Sequence, residues 1–307
     1  MSAEVLRTAH QVASNALHWL QRSAPLGALP TGATVDLADP ENPYKPLGET
    51  ALAASLVLRE GVAGPGDLQA ARDLLAFAWQ EFDGGDVLYE RQLRHPMLTD
   101  PLETYAHFVR GGYRHRPLGE LVGHLGALDS VGAIEMMPNR RLAVANAHRV
   151  VDPGHRSDWT ALTAACWLGA TPEPWMIDWM TAYHMTHTVF HVTDWGAHPA
   201  ALPSAIADYL RLWLPVWIDI WQEVGQWDLV GELLIVDACL EEPVCDAQGW
   251  DRLARAQHAD GLLPRDAEPV DEDPVRAFKD NEHTAVVAIV AGTVTLAREL
   301  GVPAADR

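Results

Sequence analysis

Residues 279–297 read KDNEHTAVVAIVAGTVTLA. Beyond His283, apolar and small side chains occupy every face of a helical wheel. A helix of this kind has no side to turn to water and must be buried. Its pattern is a charged or polar residue, then Thr, then an apolar run closing near a Gly. The pattern recurs as GETALAASLVLREG at Thr50, LETYAHFVRGG at Thr104, DWTALTAACWLG at Thr160 and THTVFHVTDWG at Thr188. A further segment of the same apolar character, DLVGELLIVDACLEE, spans 228–242. More amphipathic stretches, such as VLRTAHQVASNALHWLQR and DLQAARDLLAFAWQEF, come before most of them. Alternating Val/Ile/Thr runs with Asn-Gly or Asp-Gly turns are absent, so strands are not expected.

Six buried helices, most paired with an amphipathic outer one, predict an all-α protein: an (α/α)6 barrel or toroid forming a single domain over 1–307. An irregular helical bundle is the alternative. In a toroid the inner helices run parallel, and their N-termini gather at one mouth. Unpaired N–H groups and partial positive charge there suit an anion. Lys45, Glu49, Glu103, Asp158, His187 and His283 precede the apolar runs and would line that mouth.

Lys and Arg total 22 against 42 Asp and Glu, a formal net charge of −20. Such a field repels polyphosphates and argues against nucleic acid or an anionic membrane as partner. No uninterrupted run of 18 apolar residues marks a membrane span, and the N-terminus lacks the layout of a secretory signal. Three cysteines, Cys166, Cys239 and Cys245, form no disulfide framework. A cytoplasmic protein is therefore expected. Twelve Trp residues either fill gaps between helices or wall a cavity.

Near the C-terminus, three elements occur in order. VDACLE holds Asp237 and Cys239; WDRLARAQHADGLLP holds Gln257 and Gly261; and KDNEHT holds His283 and Thr284. Their order resembles the end of the protein prenyltransferase β subunit. There an Asp-x-Cys pair, a Gln-x-x-x-Gly-Leu-Leu loop and a His-Thr open the way to a zinc ion. The resemblance implies Asp237, Cys239 and His283 as metal ligands, and a zinc with an open position polarises whatever binds it. Two readings stay open, because Asp237 and Cys239 point about 200° apart on a regular helix. In the second, no metal is bound, Cys239 is a small buried hydrophobe and Asp237 is a cap or a general base. The match spans some sixty residues. It lacks the family's Gly-rich aromatic repeats, and no terpene-cyclase DxDD or DDxxD motif is present.

AYHMTHTVFHVTDWGAH brings together His184, His187, His191, Asp194 and His198. His187 and His191 share a helical face, a geometry for metal binding or for acid–base work near neutrality. Packing against neighbouring carboxylates is the structural alternative. Asp194 falls one turn beyond His191, positioned to orient it. In YKPLGETALAAS, Lys45 and Glu49 stand four apart as an ion pair, with Lys45 able to touch an anion at the mouth. The KPLGE and THT…TDWG segments resemble an uncharacterised actinobacterial toroid family found near natural-product biosynthesis genes. That likeness implies no particular activity.

The expected function is that of a bacterial biosynthetic enzyme acting on a small-molecule intermediate. It would catalyse an alkyl transfer or a ring-closing displacement of an anionic leaving group, with or without zinc. Asp237, His187 and His191 are the candidate catalytic residues; Lys45, Glu49, Glu103, Asp158 and Trp195 are the candidate substrate contacts. Two alternatives remain. One is a glycosidase-like or lyase-like enzyme using paired carboxylates, Glu49 with Glu103 or Asp158 with Asp237. The other is a non-catalytic binding protein, acting with a partner or as a homodimer.

Overall fold

The computed structural model describes residues 2–30, 42–244 and 247–300. Among them no strand occurs. Helices α1 (Ala3–Ser23), α2 (Lys45–Glu60), α3 (Pro65–Glu81), α4 (Asp86–Arg94) and α5 (Asp100–Arg110) are followed by α6 (Arg116–Gly126), α7 (Asp129–Gly132) and α8 (Pro138–Val151). The remaining helices are α9 (Trp159–Ala164), α10 (Trp179–Thr193), α11 (Ser204–Glu223), α12 (Trp227–Cys239), α13 (Ala247–Ala256) and α14 (Pro274–Leu300). The protein is all-α, as its periodicity predicts.

Six helices close into a ring. α2 packs on α5, α5 on α8, α8 on α10, α10 on α12, α12 on α14, and α14 returns to α2. Contacts at both ends show that they run parallel. Asn139 at the start of α8 donates to the His184 carbonyl early in α10, and Arg149 at the end of α8 donates to the His191 carbonyl near the end of α10. Likewise Asp228 at the start of α12 faces His283, whereas Arg298 at the end of α14 donates to the Leu240 carbonyl. Pro stands in the first turn of α2, α5 and α8, where its missing N–H and fixed φ are tolerated.

One expected inner helix is displaced. The Thr160 segment forms α9, six residues capped by the Asp158 carboxylate, and lies outside the ring. α8, PNRRLAVANAHRVV, takes the third inner position. Its inward face carries Arg140 and Asn146, so it lacks the apolar run that marks the other five. The outer layer is uneven, with α7 and α9 only one to two turns long.

α14 is the axis of the packing. At 27 residues it is long and apolar enough to cross a bilayer by length and composition, yet 72% of its apolar window is buried among α1, α2 and α12. Small residues let α1 approach: a Cβ added at Gly292 would stand 2.5 Å from both Ala13 Cβ and the Ala9 carbonyl. The Gln-x-x-x-Gly loop has a structural duty. Gln257 Nε2 donates to the carbonyls of Val12 and Gly261, at 3.0 and 3.1 Å, fastening the loop to α1. Gly261 adopts φ 96, and a Cβ there would strike the Asn15 carbonyl. Most Trp residues fill space between layers, Trp217, Trp250 and Trp19 being deeply buried, and Trp195 alone of the described Trp residues lines the central cavity.

Candidate active site

A cavity of about 190 Å³ occupies the middle of the ring, and every inner helix contributes to its wall. The residues nearer the helix N-termini are polar. Glu232 on α12 is 1% exposed, and its Oε1 atom lies 3.4 Å from His187 Nε2 on α10 and 3.7 Å from His283 Nε2 on α14. Its other oxygen accepts from the Thr186 hydroxyl. His283 is further enclosed by carboxylates. Its Nδ1 lies 3.0 Å from Glu49 Oε1 and its Nε2 3.6 Å from Asp228 Oδ1.

Electrostatics follow from this geometry. Burial pushes against charge on His283, but Glu49, Asp228 and Glu232 outweigh it and hold the imidazole well above its ordinary range. Burial likewise works to raise Glu232, and the two histidines overcome it, holding the carboxyl at about 2. Asp228 and Glu282 go the other way. Burial raises both, Asp228 with the charge of Glu232 beside it and Glu282 with that of Glu49. One side of the ring thus holds fixed charge and exchangeable protons together. Glu49 Oε2 and Asp228 Oδ1 are buried without a hydrogen-bond donor.

The facing side is built by α5 and α8. Arg140 donates to Glu103 and to Thr99 Oγ1. Burial raises the Glu103 carboxyl despite the Arg140 charge. Deeper, Arg110 Nη1 contacts His107 Nδ1 at 3.1 Å and its Nη2 donates to Asp194 Oδ1 at 2.8 Å. A guanidinium only donates, so His107 Nδ1 is the acceptor and its proton resides on Nε2. Burial and the Arg110 charge hold His107 at about 3, so it stays neutral.

Asp194 and Trp195 close the floor. Both have left-handed backbone, φ 47 and 56, followed by Gly196 at φ 80. Such conformations cost energy outside glycine and persist where surrounding contacts enforce them. Here Arg59 donates to the Asp194 carbonyl, its carboxylate and the Trp195 carbonyl. The turn lays the Trp195 ring on Phe190, centroids 4.5 Å apart, as an apolar floor.

The sequence reading is corrected at several points. Asp237 and Cys239 end α12, whereas His283 sits level with its beginning. Eleven residues of rise between Asp228 and Cys239, about 16 Å, separate them. They cannot share one metal. The Asp237 carboxylate instead accepts from the Val244 N–H at 2.6 Å, and burial pushes the Cys239 thiol up to about 12. Among the described residues no group of three His, Cys, Asp or Glu side chains is placed to hold a metal ion. Asp158 is the exposed cap of α9, away from the cavity. Lys45 pairs with Glu49 at 3.6 Å but stands at the rim with its side chain 60% exposed. The mouth expected to attract an anion is lined by carboxylates. Asp194 engages Arg59 and Arg110 rather than the His191 ring.

Glu49, Glu103, His187, His191, Trp195 and His283 do converge on the cavity. Of the carboxylate pairs weighed for sugar chemistry, only Glu49 with Glu103 shares it. Sequence reasoning missed Glu232, Asp228, His107, Arg110 and Arg140. A signal existed for Glu232: an acid within residues 229–236, a stretch otherwise made of Leu, Val, Ile and Gly, needs a partner inside the fold.

Fold and site together define an all-helical protein with a charged, two-sided cavity at the centre of its inner ring. A family model described as "Domain of unknown function (DUF6895)" matches residues 13–293, and the chain belongs to that family. No curated protein and no solved structure matches it.

Proposed function

We propose that the chain is an enzyme performing proton-coupled displacement on a small molecule held in the central cavity, either alkyl transfer or ring closure. The supporting observation is the sharing of Glu232 Oε1 by two imidazoles from different helices. With its Nε2 proton directed at Glu232, His187 keeps Nδ1 free to accept a proton from the ammonium group of the substrate. Glu232 then stabilises the imidazolium that forms. The freed nitrogen lone pair attacks carbon, the carbon–leaving-group bond breaks, and the leaving group departs with the bonding pair as an anion. Arg140, whose Nε and Nη1 make no hydrogen bond among the described residues, and the His283 cation stand in the same cavity to receive that charge. Glu49 Oε2 is an open acceptor for a second substrate N–H.

His191 keeps a place in this reading as a neutral wall residue: burial and the neighbouring His187 and Arg140 hold it well below the ordinary range. Trp195 and Phe190 supply the dry face that strengthens each electrostatic contact.

The test is a screen of amines carrying a leaving group three or four carbons from nitrogen, scored by release of the anion under mass spectrometry. Wild type should release it, and Glu232→Gln should be slower by about 100-fold, the scale of a disabled acid–base group. Equal release by both proteins would overturn the proposal.

A further inference from the structure

The deep end of the cavity is built for an anionic oxygen that the protein does not supply. Arg110 has five N–H donors, and its protein contacts engage one with His107 and one with Asp194. Its side chain is 6% exposed and lines the cavity. Because His107 Nδ1 accepts from Arg110, its Nε2–H is a further donor in the cavity wall, with no acceptor among the described residues. His191 Nδ1 is buried there without a hydrogen-bond partner. Formal charge favours the same ligand. Arg59, Arg110 and Arg149 surround the floor, opposed by the carboxylates of Asp194 and Glu60. Arg149 itself spends its donors on Asn146 Oδ1 and the carbonyls of His191 and Val192, with its guanidinium over Trp159. Among the described residues three guanidiniums thus stand at the floor beside two carboxylates, while carboxylates dominate the mouth.

These two ends are a defined distance apart. Along α10 seven residues separate His187, at the acid–base cluster, from Asp194, the partner of Arg110. That is about 10 Å of rise, so a ligand touching both groups must carry its two polar ends several carbons apart. We propose that the substrate is an ω-amino carboxylate bearing the leaving group on its chain: its amine lies among His187, Glu232 and Glu49, and its carboxylate lies on Arg110 and His107. An α-amino acid is too short to satisfy both ends, and a simple amine leaves the remaining Arg110 donors and the His107 Nε2–H without an acceptor. The inference rests on the acid–base reading for the position of the amine, and the carboxylate end is tested separately.

The experiment is calorimetric binding at pH 7.5 of unreactive probes: glycine, 3-aminopropanoate, 4-aminobutanoate, 5-aminopentanoate and 6-aminohexanoate, each beside the alkylamine of equal length. The expected affinity peaks near 5-aminopentanoate, about tenfold above glycine and about tenfold above pentylamine. His107→Phe and Arg110→Lys should each remove the advantage over pentylamine. The lysine keeps a cation for Asp194, and the histidine change tests the same end should the arginine variant fail to fold. Glu232→Gln should weaken amine and amino acid alike, leaving their ratio unchanged. If 5-aminopentanoate binds no better than pentylamine, or no probe binds, the carboxylate site is overturned. If the advantage persists while Glu232→Gln has no effect on binding or turnover, the acid–base reading fails and the carboxylate site stands.

Discussion

Glu232 Oε1 lies 3.4 Å from His187 Nε2, and the carboxylate is 1% exposed at the second turn of its helix, flanked in sequence by Leu, Val, Ile and Gly. A charge so placed is expensive unless paired. The pairing comes from two different helices, α10 and α14, so the ring must close before the charge is satisfied. The same arrangement that permits burial gives two imidazoles unequal surroundings: His283 faces three carboxylates, His187 one.

Stability should depend on pH through this cluster in a definite direction. His283 has a raised folded value, so its contribution is complete below the unfolded value of 6.5 and fades as pH climbs through the raised one. Glu232 is depressed to about 2 from 4.5, so its contribution is complete above 4.5 and is lost as pH falls toward 2. His283→Gln should cost about 2–3 kcal/mol near pH 6, where three carboxylates lose their counter-charge, and converge on wild type in alkali. Chemical denaturation from pH 4 to 10 checks this. A constant gap across that range would refute it.

His107 works against acid tolerance. Held at about 3 in the fold against an ordinary 6.5, it contributes stability above 6.5 that is lost as pH falls, since the unfolded chain takes up the proton first. His107→Gln should flatten the decline in melting temperature between pH 6.5 and 4. Unchanged slopes would show that His107 is charged in the native protein.

Asp237→Asn and Cys239→Ala should leave turnover within about twofold of wild type. Both sit at the far end of α12, where Asp237 caps Val244 and Cys239 packs by the Gly196 turn. Their cost is in stability, about 1–2 kcal/mol for the weakened hydrogen bond and about 1 kcal/mol for the buried sulfur. A hundredfold loss of activity from either would return the chemistry to that end.

Gly292→Val should destabilise by about 2–3 kcal/mol or more, because the added atoms enter space held by Ala13 and the Ala9 backbone. Denaturant midpoints measure this, with Ala13→Gly as a second-site change expected to restore part of the loss. Wild-type stability in the valine variant would mean that α1 and α14 separate more easily than the packing implies.

Much of the fold is legible in order, because helices apolar on every face can only be buried. Thr50, Thr104, Thr188 and Thr284 all mark inner helices. α8 escapes the rule because Arg140 and Asn146 face inward, and a cavity-lining helix with a polar inner face looks in sequence like a surface helix. The site is legible in halves. His187 and His283 are conspicuous as histidines beside Thr at helical spacing. Their shared partner is not, since nothing local in GELLIV says which distant imidazoles will surround Glu232. The Asp-x-Cys pair misleads for a geometric reason: order along the chain carries no information about height along a helix, and α12 places its acid–base residue at one end and its thiol at the other.

The most direct test is a long-range nitrogen–proton NMR spectrum of the histidine rings in wild type and Glu232→Gln at pH 7.5. The account predicts that both ring nitrogens of His283 are protonated in wild type, and that His187 carries its Nε2 proton toward Glu232. The glutamine variant should change the signals of both rings while those of His115, which caps the start of α6 by accepting from the Leu118 N–H, stay fixed. A neutral His283 in wild type, or a variant in which neither ring responds, would contradict the account.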